Sequence, residues 1–158
     1  MSKQILFVCL GNICRSPAAE AVMAHYIAES GADIRVDSAG TLDFHVGKKP
    51  DSRMRAAGEA RGYRFTTVAR QVTAEDLVPG RFDLVLAMDR SNLADLRKLS
   101  GRELSHVLLF GEFLDKQAPP NIPDPYYGGQ AGFEKVLDMM EAGCPKILQL
   151  LVSNERSS

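Results

Sequence analysis

Short apolar runs alternate with segments of helical periodicity along this chain, and this alternation limits the fold more than any other feature of the sequence. Buried strands are predicted over residues 5–8, 34–38, 82–88 and 107–110. Strands joined by helices pair in parallel through right-handed crossovers. The sequence therefore predicts an α/β fold, a three-layer α/β/α sandwich around a four-stranded parallel sheet.

The intervening segments predict the helices. Apolar residues spaced three and four apart predict helices over residues 16–30, 51–61, 91–99 and 131–152. The first is expected to end near Gly31, because glycine accepts the left-handed conformation that closes a helix. Pro145 is expected to kink or interrupt the last helix, since proline cannot donate a backbone hydrogen bond.

Composition limits the class of protein. The chain has 158 residues and a net charge of −1, which fits one domain over residues 1–158 and gives no sign of nucleic-acid binding. Its three cysteines lack the spacing of a zinc site, and their odd number favours a reducing compartment. No signal peptide or membrane-spanning stretch is recognisable. We expect a cytoplasmic protein without a metal, a cofactor or a membrane partner.

A cysteine-containing loop joins the first predicted strand to the first predicted helix. It runs Cys9-Leu10-Gly11-Asn12-Ile13-Cys14-Arg15, and Ser16-Pro17 predicts the helix start, with Ser16 as the N-cap. A loop that ends at a helix N-terminus directs backbone N–H groups at one point, where a phosphate binds well. Cys9 would be stabilised as a thiolate there, and Arg15 can grip two phosphate oxygens. The alternative is that Cys9 is a small buried residue at a strand end.

A second candidate element is a stiff loop late in the chain. The stretch from Ala118 to Gly129 contains four prolines, so it is neither helix nor central strand. Pro123 and Pro125 restrict the backbone on either side of Asp124. A carboxyl held rigidly beside a phosphate site suits general acid catalysis, whereas the alternative is that Asp124 only opens a turn.

Other residues are brought near the cysteine loop by the predicted topology. The carboxyl ends of parallel strands share one edge of a sheet, so Ser38 is expected near Cys9, although it also fits an ordinary strand-end hydroxyl. Phe44 lies in the following loop, where it either borders the site or packs on the core. Tyr126 and Tyr127 follow Asp124 and are candidates for stacking on an aromatic substrate at the mouth of the site.

Five segments, in this order and across nearly the whole chain, resemble the low-molecular-weight protein tyrosine phosphatases. They are Cys9 to Ser16, Asp37 to Thr41, Ala69 to Val72, Met88 to Asn92 and Asp124 to Tyr126. The resemblance implies a sheet order of 2-1-3-4, with the phosphate-binding loop after strand 1. It also implies hydrolysis of phosphotyrosine monoesters in proteins through a cysteinyl-phosphate intermediate, without a metal.

The resemblance assigns roles residue by residue. It implies Cys9 as nucleophile, Arg15 as the clamp on the transition state, and Asp124 as general acid and then base. The phosphate-binding residues would be Leu10, Gly11, Asn12, Ile13, Cys14 and Ser16; the supporting network would include Ser38 and Asp89; the pocket wall would include Phe44, Tyr126 and Tyr127. The family often has a histidine where Thr67 stands, which reaches towards the aspartate that matches Asp89. Because this histidine is missing here, the resemblance implies that part of the usual polar network is absent.

Cys14 is a candidate redox partner of Cys9. Because both cysteines border one loop, a reversible disulfide between them would stop activity and protect Cys9, while the alternative is a passive buried thiol.

Two other functions fit parts of the pattern. A thiol-dependent arsenate reductase shares such a loop but needs a cysteine relay, and no cysteine lies between Cys14 and Cys144. A non-catalytic phosphate-binding module would need neither Cys9 nor Asp124. The expected partners are phosphotyrosine proteins, with a tyrosine kinase among the candidates, and the sequence leaves the oligomeric state open.

Overall fold

A parallel sheet of four strands forms the centre of the molecule, as predicted. The computed structural model describes residues 2–115 and 117–157, with side chains up to residue 153. The strands are β1 (Lys3–Cys9), β2 (Ile34–Gly40), β3 (Leu84–Ala87) and β4 (Val107–Leu109), in the order β2-β1-β3-β4. All three strand pairs are parallel, which confirms the predicted topology and order.

Four helices in the described part of the chain cover the sheet. They are α1 (Arg15–Ser30), α2 (Ser52–Ala60), α3 (Arg90–Ser100) and α4 (Gln130–Ser157), and two short 3₁₀ turns span Ala74–Leu77 and Phe110–Phe113. The predicted stop of α1 is confirmed, because Gly31 caps it with φ +70°.

Of the two outcomes predicted at Pro145, a kink or an interruption, the interruption does not occur, because α4 continues through Pro145. Proline in a helix costs about 3 kcal/mol. Burial of one large apolar side chain stabilises by about 1.5–3 kcal/mol, and α4 buries a whole apolar stripe on both sides of the proline. Its members are Phe133, Val136, Leu137, Met140, Ile147 and Leu151. Packing therefore outweighs the local preference.

The two faces of the sheet bury separate cores, because successive side chains of β1 alternate. Ile5, Phe7 and Cys9 belong to the core formed with α1, α2 and α4. Leu6 and Val8 belong to the core formed with α3 and the first 3₁₀ turn. This arrangement is the predicted three-layer sandwich, in which a strand covered on both faces is apolar throughout.

The register of the sheet brings three chain segments to one edge. Cys9 pairs with Gly40 of β2, and Val8 pairs with Ala87 of β3. Asp89 then follows β3 at the same edge. Within residues 2–115 and 117–157, no helix has the length and apolar content that a membrane crossing requires.

Candidate active site

The loop from β1 to α1 is a tight backbone turn packed against β2. A Cβ at Gly40 would lie 2.8 Å from the carbonyl oxygen of Leu10, so only glycine allows this approach. The helix α1 begins at Arg15, and Cys14 is its N-cap residue without a side-chain hydrogen bond. The predicted capping role of Ser16 is therefore wrong. Its hydroxyl faces the loop instead, 2.9 Å from Cys9 Sγ and 2.8 Å from Asn12 Nδ2.

Asn12 holds the loop in shape. Its φ of +57° is unusual for a non-glycine residue, and its side chain makes three hydrogen bonds. The backbone N–H of Arg70 donates to Asn12 Oδ1 over 3.0 Å, so the amide nitrogen faces the other way. That nitrogen donates to Ser16 Oγ and to Ser38 Oγ, over 2.8 and 2.9 Å.

The donor count of this network sets the direction of the bond to Cys9. Because Ser16 Oγ accepts from Asn12, its own hydrogen is left for Cys9 Sγ, 2.9 Å away. The backbone N–H of Asn12 also donates to Cys9 Sγ over 3.3 Å. Two donors aimed at one sulfur suit an anionic thiolate at this position.

Glu20 and Thr67 extend the network behind the loop. Ser38 Oγ donates to Glu20 Oε1, and Thr67 Oγ1 donates to the same oxygen over 3.0 Å. Thr67, which stands where the family often has a histidine directed at the aspartate matching Asp89, therefore contacts Glu20 here, while Asp89 is engaged by Arg15. Sequence analysis missed Glu20. The available signal was a single carboxylate among the small and apolar residues of the first turns of α1.

The buried carboxyl of Glu20 is expected to make the free energy of unfolding depend on pH. Burial raises the pKa of Glu20, although hydrogen bonds from Ser38 and Thr67 oppose the shift. Because the pKa of Glu20 is higher in the folded state, its contribution to stability is fully present below about pH 4.3, the ordinary glutamate pKa. This contribution is lost as the pH rises through the folded-state pKa. Relative to Glu20→Gln, the wild-type protein is expected to lose free energy of unfolding from about pH 4 towards neutral pH, as measured by urea denaturation.

Thr67→Val sharpens this test. The variant lacks one hydrogen bond that lowers the pKa of Glu20, so its pH-dependent loss should exceed that of the wild type. A stability difference between wild type and Glu20→Gln that does not change with pH would contradict the assignment.

Arg15 is buried, with 3% of its surface exposed, and its guanidinium is held from behind. Nη1 donates to Asp89 Oδ2 over 2.6 Å and to the carbonyl oxygen of Ile122 over 3.1 Å. Burial alone would lower the pKa of Arg15, but the nearby Cys9, Asp89 and Asp124 outweigh burial and raise the pKa. Asp89 also caps α3 through Asn92 N–H, over 2.7 Å. A charged fork is thus presented to the cleft in one fixed orientation.

Asp124 lies across the cleft from the cysteine loop. Its Oδ2 is 3.7 Å from Arg15 Nη2, and its side chain is 40% exposed. Its Oδ1 accepts a hydrogen bond from the N–H of Tyr126 over 3.1 Å. The two interpretations of Asp124 are therefore compatible, because one oxygen stabilises the turn while the other faces the guanidinium.

The cleft has a volume of about 350 Å³. Most residues named from the sequence line it: Cys9, Leu10, Gly11, Ile13, Cys14, Arg15, Phe44, Asp124, Tyr126 and Tyr127. Asn12, Ser16, Ser38 and Asp89 support the loop from outside the cleft through the hydrogen bonds described above.

Aromatic side chains form the mouth of the cleft. Phe44 is 79% exposed and Tyr127 is 93% exposed, so neither packs in the core. The rings of Tyr126 and Tyr127 meet edge to face, with centroids 4.9 Å apart. His45, which the sequence suggests to be an ordinary surface residue, also lines the cleft, and a Cβ on Gly11 would lie 3.0 Å from its Cδ2. Sequence periodicity carries no signal for such a loop residue.

Comparison with known proteins agrees with this geometry. A family model described as low molecular weight phosphotyrosine protein phosphatase matches residues 4–157. The chain is 46% identical over 152 residues to a putative low molecular weight protein-tyrosine-phosphatase of Synechocystis, covering 94% of this chain and 96% of that one. It is 40% identical over 153 residues to the human low molecular weight phosphotyrosine protein phosphatase, covering 94% and 95%. A crystal structure of a protein tyrosine phosphatase from Entamoeba histolytica superimposes with a TM-score of 0.87 at 39% identity, covering 97% of this chain and 99% of that one.

Proposed function

The chain belongs to the low molecular weight protein tyrosine phosphatase family, and on that premise we propose that it hydrolyses protein phosphotyrosine through a phosphorylated Cys9. The observation that carries the proposal is the convergence of three groups on one cleft. Cys9 lies beneath two hydrogen-bond donors, Arg15 is held by Asp89, and Asp124 is 3.7 Å from the Arg15 guanidinium.

In the first step the Cys9 thiolate attacks phosphorus. A sulfur–phosphorus bond forms while the bond from phosphorus to the tyrosyl oxygen breaks, and protonated Asp124 gives its proton to that oxygen. Backbone N–H groups of the loop and the Arg15 fork stabilise the equatorial oxygens of the transition state. Tyrosine then leaves as the neutral phenol.

In the second step water hydrolyses the intermediate. Asp124, now ionised, takes a proton from water as its oxygen bonds to phosphorus, and the sulfur–phosphorus bond breaks. The Ser16 hydroxyl donates to the departing Cys9 sulfur and stabilises the thiolate as it re-forms. The cycle ends with inorganic phosphate and the starting enzyme.

Substrate preference follows from the walls of the cleft. Ile13, Phe44 and Tyr126 offer apolar and aromatic surface to the ring of a phosphotyrosine. A phenol is also a better leaving group than an alkyl alcohol. We therefore propose phosphotyrosine proteins as substrates, with tyrosine kinases among the candidates, and expect Asp124→Ala to retain such phosphoproteins for identification.

The role of Asp124 is tested by the leaving group. Asp124→Asn cannot donate a proton, so kcat/KM for phenyl phosphate, which reports the steps up to release of the phenol, is expected to fall by about 10²–10⁴-fold. The loss should be smaller for p-nitrophenyl phosphate, whose phenol is more acidic. Asp138→Asn is the matched control, because Asp138 is exposed on α4 and pairs with Arg61 outside the cleft. Equal losses with both substrates would contradict general acid catalysis.

The arsenate reductase alternative is disfavoured by the position of Cys144. Its side chain is fully buried between α4 and α1, with Sγ 3.9 Å from the carbonyl oxygen of Ala19. A relay through this thiol would require the two helices to separate. We expect no thiol-dependent reduction of arsenate, and a turnover comparable with the phosphatase activity would reverse this conclusion.

We propose that Cys14 protects Cys9 from oxidation. Both thiols line the cleft and are free. Burial raises the pKa of the Cys14 thiol, with Asp51 and Cys9 adding to the shift, so we expect peroxide to oxidise Cys9 first and Cys14 to react more slowly. Peroxide would convert the Cys9 thiolate to a sulfenic acid, and the Cys14 thiol would then form the disulfide with loss of water. Mass mapping after peroxide should find a Cys9–Cys14 link and full reactivation by a dithiol; Cys14→Ser should be inactivated irreversibly.

A further inference from the structure

The loop that carries Asp124 packs unusually closely against the second 3₁₀ turn. Gly111 lies in that turn, directly after β4, and a Cβ there would be 1.9 Å from the carbonyl oxygen of Pro120. The carbon and nitrogen of Pro120 would lie 3.0 and 3.1 Å away. All three are backbone atoms that cannot rotate aside. The close packing of this loop therefore requires a residue without a side chain at position 111.

A second contact clamps the same stretch from the side of α3. The backbone N–H of Arg90 donates to Asn121 Oδ1 over 3.1 Å, and its Nη1 donates to the same oxygen over 3.0 Å. Its Nη2 donates to the carbonyl oxygen of Pro119 over 2.8 Å. Arg90 follows Asp89 directly, and Asp89 pairs with Arg15. Two adjacent residues therefore hold Arg15 and the loop that carries Asp124.

The clamped stretch is coupled to Asp124 by a short and stiff connection. Ile122 N–H donates to the carbonyl oxygen of Met88 over 2.8 Å, and the Ile122 carbonyl accepts from Arg15 over 3.1 Å. Pro123 follows with its φ restricted by the ring, and Pro125 restricts Asp124 from the other side. Little flexible chain lies between Pro120 and Asp124, so a displacement of Pro120 is expected to move Asp124 as well.

We propose that Gly111 and Arg90 are positioning residues for the general acid, because they fix the position of residues 119–124 relative to the Arg15 guanidinium. This inference rests on the proposed role of Asp124. Neither residue is among those that line the cleft, so neither would touch the substrate directly.

Gly111→Ala tests the inference directly. The Pro120 oxygen must retreat by about 1 Å to reach an allowed contact, and a misplacement of this size costs about 10²-fold in rate. We expect a loss of that order in kcat/KM for phenyl phosphate and a clearly smaller loss in kcat/KM for p-nitrophenyl phosphate. The inhibition constant for inorganic phosphate should change much less than kcat/KM, because Asp89 still holds the Arg15 guanidinium. A variant that was merely less folded would lose both activities equally.

Gly129→Ala is the matched control within the same loop. A Cβ at Gly129 would have no heavy atom within 4 Å, and its φ is not positive. Its kinetics with both substrates should equal those of the wild type. The same leaving-group pattern in Gly129→Ala would overturn the inference.

Arg90→Ala keeps the inference testable if Gly111→Ala fails to fold, since Arg90 is exposed and its removal leaves the core intact. Arg90→Ala should lose several fold in kcat/KM for phenyl phosphate and less for p-nitrophenyl phosphate. Arg90→Lys should recover part of this loss. Arg97→Ala removes an exposed arginine from the same helix, paired only with Glu103 among the ion pairs of the described chain, and should have no effect.

The combination with Asp124→Asn separates this inference from the proposed function. If Gly111 acts through Asp124, Gly111→Ala should cause no further loss of kcat/KM for phenyl phosphate in the Asp124→Asn background. A full additional loss there would overturn the inference. If Asp124→Asn itself shows no dependence on the leaving group, the assigned acid is wrong, and the failure lies with the proposed function.

Discussion

Cys9→Ser is expected to lower kcat for p-nitrophenyl phosphate by at least about 10⁴-fold, because a hydroxyl at this position is not ionised and cannot form the phosphoenzyme. The sulfur accepts hydrogen bonds from the Asn12 N–H and the Ser16 hydroxyl, which suit a thiolate. Steady-state assays measure the loss. Mass spectrometry of the wild type, quenched during turnover, should detect one phosphate on the peptide that contains Cys9.

The binding site should survive this substitution. The loop amides and Arg15 remain in place, so inorganic phosphate should bind to Cys9→Ser with an affinity near that of the wild type, as measured by calorimetry. Cys144→Ser is the control, because this buried thiol lies outside the cleft, and its kcat should be retained in the folded fraction. Unchanged turnover in Cys9→Ser would exclude Cys9 as the nucleophile, whereas a wild-type protein without turnover would favour a phosphate-binding module.

Arg15→Lys is expected to lower kcat by about 10³-fold or more, a loss typical for removal of an arginine that stabilises phosphoryl transfer. Lysine keeps the charge, but it cannot pair with Asp89, hydrogen-bond to Ile122 and present a planar fork to phosphate together. The loss should fall mainly on kcat, because the clamp strengthens as the transition state forms.

Arg61→Lys is the matched control for this prediction. Arg61 is also partly buried and pairs with carboxylates, Glu134, Asp138 and Glu141, but it lies outside the cleft. It should change the melting temperature more than the rate per folded molecule. Activity in Arg15→Lys within tenfold of the wild type would show that charge alone suffices, and that the fork has no special role.

The fold could be predicted because its signals are local. The apolar runs of β1 to β4 and the helical periodicity between them are read within short windows, and parallel pairing follows from the helices that join them. At Pro145 the sequence predicted a kink or an interruption of α4, and the helix is not interrupted there. A local rule describes the cost of proline, but the compensating burial comes from residues distributed over the whole helix.

The amino-acid sequence by itself determined the cysteine loop, because Cys9, Arg15 and the start of α1 are contiguous and their geometry follows from a strand that meets a helix. It also indicated that Asp124 sits on a stiff loop. Only the tertiary structure decided which groups surround these residues. The Ser16 hydroxyl contacts Cys9, Thr67 contacts Glu20, and Pro120 packs against Gly111. No sequence periodicity relates the residues of these contacts, so they could not be predicted from sequence periodicity. Such partners are chosen by the packing of separate elements, and the positions of the catalytic groups depend on that packing.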